Sequence, residues 1–164
     1  TTGNGEAGTD ASNGRVGRAN KAIWPMRVRL MMVREGRAQK VCIQNPRDAF
    51  EFMRKEASGL DREHFWRIDL DVRGYVLSTE ACSIGTLSAS LVHPREYFKG
   101  AILSNAAATI CCHNHPSQLV DPSPEDREVT RRIQKASDLL GIPLQDHIIL
   151  ADETFFSFRE RGLL

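Results

Sequence analysis

At 164 residues the chain can bury one real core and is short for two domains. It is 41% hydrophobic and 26% charged, the balance of a globular protein, and no apolar run nears the ~20 residues that a membrane span needs. Its 22 basic and 21 acidic residues leave a net charge of +1, so the overall field does not imply a nucleic-acid partner.

Residues 1–22, "TTGNGEAGTDASNGRVGRANKA", are rich in Gly, Asn, Thr and Ser. They read as a tail or linker without a secretory signal. "RVRLMMV" (27–33) and "AQKVCI" (38–43) read as strands around a turn at "REG". Arg27, Arg29, Arg34, Arg37 and Lys40 make this hairpin basic, which fits a solvated face better than a phosphate site. Asn45 is placed as the cap of a helix with Pro46 at its first position and Ala49, Phe50, Met53 and Ala57 on its apolar face.

"HFWRIDLDV" alternates Trp66, Ile68, Leu70 and Val72, the period of a strand. "YVLSTEAC" and "TLSASLV" continue as strands, and "HPREYFKGAILSNAA" is a helix opened by Pro94. "ATICC" suits a buried central strand. "SPEDREVTRRIQKASDLLG" is a third helix closed by Gly141, and "LQDHIIL" and "TFFSF" are the last strands. Hairpins mixed with helices predict an α/β or α+β sandwich on a mixed sheet. The organisation expected is a tail (1–22), an N-terminal hairpin and helix (23–60) and a main domain (61–164). GxxxxGK[ST] does not occur. Cys42, Cys82, Cys111 and Cys112 form no CxxC pair and no disulfide framework, so they read as small buried hydrophobes in a reducing, cytoplasmic setting.

"CCHNHPSQLVDPSPED" (111–126) carries the chemistry. His113 and His115 sit at a strand end, where residues i and i+2 project from one face. Two such imidazoles can bind one metal ion. Ser123 is the cap of the third helix, and Asp126, three residues on, lies in its first turn. Its carboxylate could complete a His₂Asp set with a fourth position open to water, the pattern of a catalytic zinc site. Taken alone, Ser123 and Asp126 are also a near capping box, and a carboxylate in a first turn is favoured by the helix dipole.

H-x-H, seven residues, then S-x-x-D resembles the signature of the JAMM (JAB1/MPN+) metallohydrolases. "GTLSASLVHPREYFKGAILSNAAATICCHNHPS" and "LGIPLQDHIIL" are similar, more narrowly, to the RadC family, over about Arg62 to Phe158. The resemblance implies a three-layer α/β/α sandwich with a mixed sheet, the cytidine-deaminase-like JAMM fold, over 61–164. "QLVDP" stands where that family usually has a Gly-Asp-Pro stretch, but the ligand spacing survives. The first sixty residues do not resemble the family's helix-hairpin-helix region, so its DNA-binding role is not carried over.

The same resemblance implies a glutamate at the entry to an early strand as general base. Glu51, Glu56, Glu80 and Glu96 have ordinary explanations on helix faces, in a first turn or within a strand. Glu63-His64-Phe65 matches the family's E-x-F unit, which makes Glu63 the candidate. The implied protein is a Zn²⁺-dependent metalloprotease, a peptidase or isopeptidase that attacks an amide, including one to a ubiquitin-like protein, with a metal-activated water. Glu63 moves the proton and Ser123 donates to the oxyanion. The rivals are a metal-dependent nuclease tied to DNA repair and a non-catalytic interaction module. His93 reads as a helix cap, His147 as a buried strand histidine and His64 as structural or exposed, with a role behind the site open for His93 and His147. A P-C-x-x-C segment is missing, which argues against thiolate ligands from Cys111 and Cys112.

Overall fold

Seven consecutive residues without an exposed side chain, Ala108–Asn114, form the middle strand of a five-stranded sheet. The computed structural model describes residues 40–85 and 92–164. The strands are β1 (His64–Leu70), β2 (Val76–Ile84), β3 (Ala108–Asn114), β4 (Leu144–Leu150) and β5 (Phe155–Ser157), and the helices α1 (Pro46–Ala57), α2 (Pro94–Leu103) and α3 (Pro124–Leu140). The sheet order is β2-β1-β3-β4-β5. β1 is antiparallel to both neighbours, β3 and β4 are parallel, and β5 is antiparallel to β4. The parallel pair requires a crossover, which α3 supplies.

Side chains of alternate parity build two cores. Trp66, Ile68, Leu70, Ile110, Cys112, Ile148 and Leu150 face Ala49, Phe50 and Met53 of α1. Phe65, Cys111 and Leu144 face Tyr97, Phe98 and Ala101 of α2 and Val129 and Ile133 of α3. Helices therefore cover both faces of the mixed sheet, the α/β/α sandwich expected. Among the described residues no helix is long and apolar enough to cross a membrane.

Two local expectations are corrected. Val72, expected on the apolar face of the first strand, is 88% exposed. The ladder ends at Leu70, and the Asp71 carboxylate accepts from the Arg73 and Tyr75 amides to turn the chain. Of the strand expected over 38–43, the described residues form a single bridge, Cys42 to Tyr75. They meet the turn before β2 instead of running along a strand, and α1 begins at Pro46. The tail at 1–22, the strand at 27–33 with Arg34 and Arg37 after it, and the strand at 86–92 except Val92 lie outside the described residues.

Arg67 is a charged residue set inside the second core, 1% exposed. Its guanidinium donates to Asp69 at 2.6 and 3.1 Å, to Glu80 at 2.7 Å and to the Tyr97 carbonyl at 2.5 Å. Asp69 also accepts from Ser78 and Ser104 at 2.6 and 2.9 Å. A buried charge persists only when it is paired and hydrogen-bonded in this way.

Candidate metal centre

Three segments converge where β3 ends. β3 carries His113 on the face toward α3, and the His115 amide donates to the Leu150 carbonyl at 3.0 Å, holding the chain beside β4 after the ladder stops. The chain then turns at Gln118, whose φ is 64°, and returns so that the Leu119 carbonyl lies 2.5 Å from His115 Nδ1. Ser123 caps α3 and Pro124 occupies its first position. The cap is reciprocal: the Asp126 amide donates to Ser123 Oγ at 3.1 Å, and the Ser123 amide donates to Asp126 Oδ2 at 2.7 Å. The capping box thus fixes the carboxylate that points at the histidines.

The donor atoms of His113, His115 and Asp126 all lie within 4.8 Å of one another. His113 Nε2 is 2.9 Å from His115 Nε2 and 3.1 Å from Asp126 Oδ1, and His115 Nε2 is 3.5 Å from Asp126 Oδ2. His113 and Asp126 are 0% and 2% exposed, while His115 opens to solvent. A carbonyl can only accept, so His115 Nδ1 carries its proton toward Leu119 and the lone pair of the neutral ring sits on Nε2. That lone pair meets His113 Nε2 and a carboxylate, which leaves three donor groups turned toward one small volume. The set fits a cation: the imidazole and carboxylate ligands of tetrahedral zinc are present, and each ring's other nitrogen is held.

The electrostatics agree. Burial would raise the Asp126 pKa, but the adjacent His113 and His115 rings and the Ser123 amide outweigh it and hold the carboxyl well below its ordinary range. Burial opposes charge on His115, yet the Asp126 carboxylate, the Leu119 carbonyl and the charge of Glu63 together raise its pKa. A site that favours a proton this way also favours a metal cation.

Glu63 immediately precedes β1 and is half-buried. Phe65 stands opposite His113 in the antiparallel register, so the same pairing continued two residues back runs toward His115. The Asn114 side chain clasps the backbone around it, accepting from the His64 amide at 2.7 Å and donating to the Arg62 carbonyl at 3.1 Å. The other glutamates have other partners or places. Glu51 and Glu56 are exposed on α1, Glu80 binds Arg67, and Glu96 at the start of α2 binds Arg95 and Lys99. His93 caps α2, its Nδ1 accepting from the Arg95 amide at 3.1 Å. His64 stacks on Trp66 at 5.4 Å. Cys111 and Cys112 are fully buried, and burial pushes both thiols up, away from thiolate chemistry.

Two groups stand behind the site: His147, for which the sequence left such a role open, and Thr130, which it did not single out. His147 Nε2 lies 2.8 Å from His113 Nδ1, and Thr130 Oγ1 lies 2.6 Å from His147 Nδ1. "DHI" marked His147 as a buried strand residue, but nothing local links it to Thr130.

Residues 43–163 match the model of the RadC-like JAB domain. The chain belongs to the RadC family. The matched span takes in α1 as well as the sheet. A UPF0758 protein of Shouchella clausii is 46% identical over 129 residues, covering 79% of this chain and 56% of that protein. One from Rubrobacter xylanophilus is 47% identical over 122 residues, covering 74% and 53%, and one from Symbiobacterium thermophilum is 48% identical over 126, covering 77% and 54%. The RadC chain here thus spans about half the length of the curated relatives it matches. Membership in a JAB-type family agrees with a metal centre at His113, His115 and Asp126.

Proposed function

We propose that this RadC domain is a zinc-dependent hydrolase of amide bonds, a peptidase or isopeptidase, with a peptide or the tail of a ubiquitin-like protein as substrate. The observation that carries the reading is the convergence of two imidazole lone pairs and one buried carboxylate beside Glu63. Neutral nitrogen and carboxylate donors in this number suit zinc and leave a coordination position open. Zinc in such a site supplies Lewis acidity and acidifies water near it.

The chain's own groups do the rest. Glu63 accepts the proton of the attacking water and passes it to the leaving amine. Ser123 Oγ accepts from the Asp126 amide, and a hydroxyl that accepts there still has its own proton to donate to the carbonyl oxygen as charge develops. Asp126, pinned by the cap, keeps the donor set from rearranging. All four cysteines are free, which fits a reducing, cytoplasmic compartment.

The test uses the full chain loaded with zinc, offered linear peptides, ubiquitin-like fusions and DNA. Wild type cleaves an amide substrate and leaves DNA intact, and Glu63→Gln binds the same zinc but loses cleavage by about 10²–10⁴-fold. Metal-dependent cutting of DNA with no amide turnover would overturn the reading in favour of a nuclease linked to DNA repair.

A further inference from the structure

The hydrogen bonds behind His113 can be oriented one atom at a time, beginning from a group with no choice. The backbone carbonyl of Asp126 can only accept. Thr130 Oγ1 lies 2.6 Å from it, one helical turn later on α3, so the hydroxyl proton points there. The same oxygen then offers only a lone pair to His147 Nδ1, 2.6 Å away, and that nitrogen must carry the hydrogen. A neutral imidazole protonated on Nδ1 accepts on Nε2. His147 Nε2 therefore accepts from His113 Nδ1–H at 2.8 Å. The lone pair of His113 is left on Nε2, which faces His115 Nε2 at 2.9 Å and Asp126 Oδ1 at 3.1 Å.

The chain begins at the Asp126 carbonyl and ends at the Asp126 carboxylate, so both ends move with the first turn of α3. Its middle is held by packing. The His147 ring is fully buried, stacked on Phe158 with ring centres 4.6 Å apart at 10°, and meets Phe65 in a T-shaped contact with ring centres 5.5 Å apart. It cannot swing to seek other partners without displacing two aromatic rings.

We propose that Thr130 and His147 are positioning residues that lock His113 in the tautomer bearing hydrogen on Nδ1, and so present its Nε2 lone pair to the metal. The inference rests on His113, His115 and Asp126 being a metal site, and not on which bond is cleaved. Removing one hydroxyl reverses the chain. In Thr130→Val the shape is kept, but a hydrogen on His147 Nδ1 would be buried without an acceptor. His147 then shifts its hydrogen to Nε2 and donates to His113 Nδ1. His113 must carry its own hydrogen on Nε2, where the metal should bind, and metal entry has to undo both shifts.

The experiment records long-range ¹H–¹⁵N spectra of the histidine rings in the metal-free full chain, together with zinc affinity by chelator competition. Wild type and Thr130→Ser show His113 protonated on Nδ1. Thr130→Val shows it protonated on Nε2, with zinc bound about 10–100-fold more weakly, the usual effect of losing a partner behind a ligand. Thr130→Ser restores affinity, which a purely structural role for the threonine methyl would not predict. A wild-type His113 protonated on Nε2, or a Thr130→Val protein in which either tautomer or affinity is unchanged, overturns the proposal. The His113→Ala/His115→Ala double variant separates the two claims. If it binds zinc as wild type does, the metal site itself is wrong, whereas the ring spectra still judge the relay.

Discussion

Asn114 holds the backbone on both sides of Glu63, through the His64 amide at 2.7 Å and the Arg62 carbonyl at 3.1 Å. Asn114, between His113 and His115 in sequence, is thus the clasp for the proposed base, 51 positions earlier in the chain. A base displaced by about 1 Å loses on the order of 10²-fold in rate. Asn114→Ala should therefore lower amide hydrolysis about 10–100-fold while zinc affinity stays within about twofold. Parallel measurements of turnover and chelator competition decide it. An equal fall in both would mean that Asn114 acts on the ligands and not on Glu63.

What the sequence disclosed and what it hid divide by the distance along the chain over which each feature is determined. His113 and His115 share a face because strand side chains alternate, and Ser123 meets Asp126 because a cap reaches three residues into its helix; both rules are local. The helix termini at Asn45, Pro94 and Gly141 follow from caps of the same short range. Arg67 inside the core, His147 on Thr130 and Asn114 around Glu63 depend on strand order and register. No residue pattern in one segment encodes such a pairing with another. Val72 failed for a related reason: alternation identifies a strand's face but not the residue at which the partner strand stops supplying hydrogen bonds.

Gly100 lies against the buried arginine network. A Cβ there would stand 2.8 Å from Arg67 Cζ and overlap the end of the guanidinium. Arg67 cannot withdraw without leaving Asp69 and the Tyr97 carbonyl. Gly100→Ala should therefore destabilise the fold by about 3–5 kcal/mol, the scale of breaking a buried ion pair from one side. Urea unfolding measures this. A loss no larger than an ordinary glycine-to-alanine exchange on an exposed helix would show that the network yields easily.

Thiol reactivity should rank the four cysteines. Cys42 is half-buried. Burial pushes Cys82 up to about 11, against the pull of Arg67. Cys111 and Cys112 are fully buried and pushed up further. At pH 8 a disulfide reagent should modify Cys42 first and Cys82 about 10–100-fold more slowly, because the thiolate is the reacting form. Cys111 and Cys112 should react only as the protein unfolds. Mass spectrometry of peptides from timed quenches identifies each site, and rapid labelling of Cys111 or Cys112 in folded protein would restore a thiolate role beside His113 and His115.

Acid and base should act on the metal-free centre in opposite directions. Asp126 is held below its ordinary 3.8, so its contribution is present above that value and is lost as the pH falls toward the lowered one. His115 is raised above its ordinary 6.5, so its contribution is full below 6.5 and is lost as the pH climbs through the raised value. The pair therefore stabilises metal-free protein most between 3.8 and 6.5, and Asp126→Asn should flatten both limbs of a plot of urea midpoint against pH. Zinc reverses the alkaline limb, because it binds the neutral ring and competes with the proton on His115. Its affinity should rise with pH across the range in which the metal-free pair weakens. Chelator competition at a series of pH values checks this, and an affinity independent of pH would remove His115 from the ligand set.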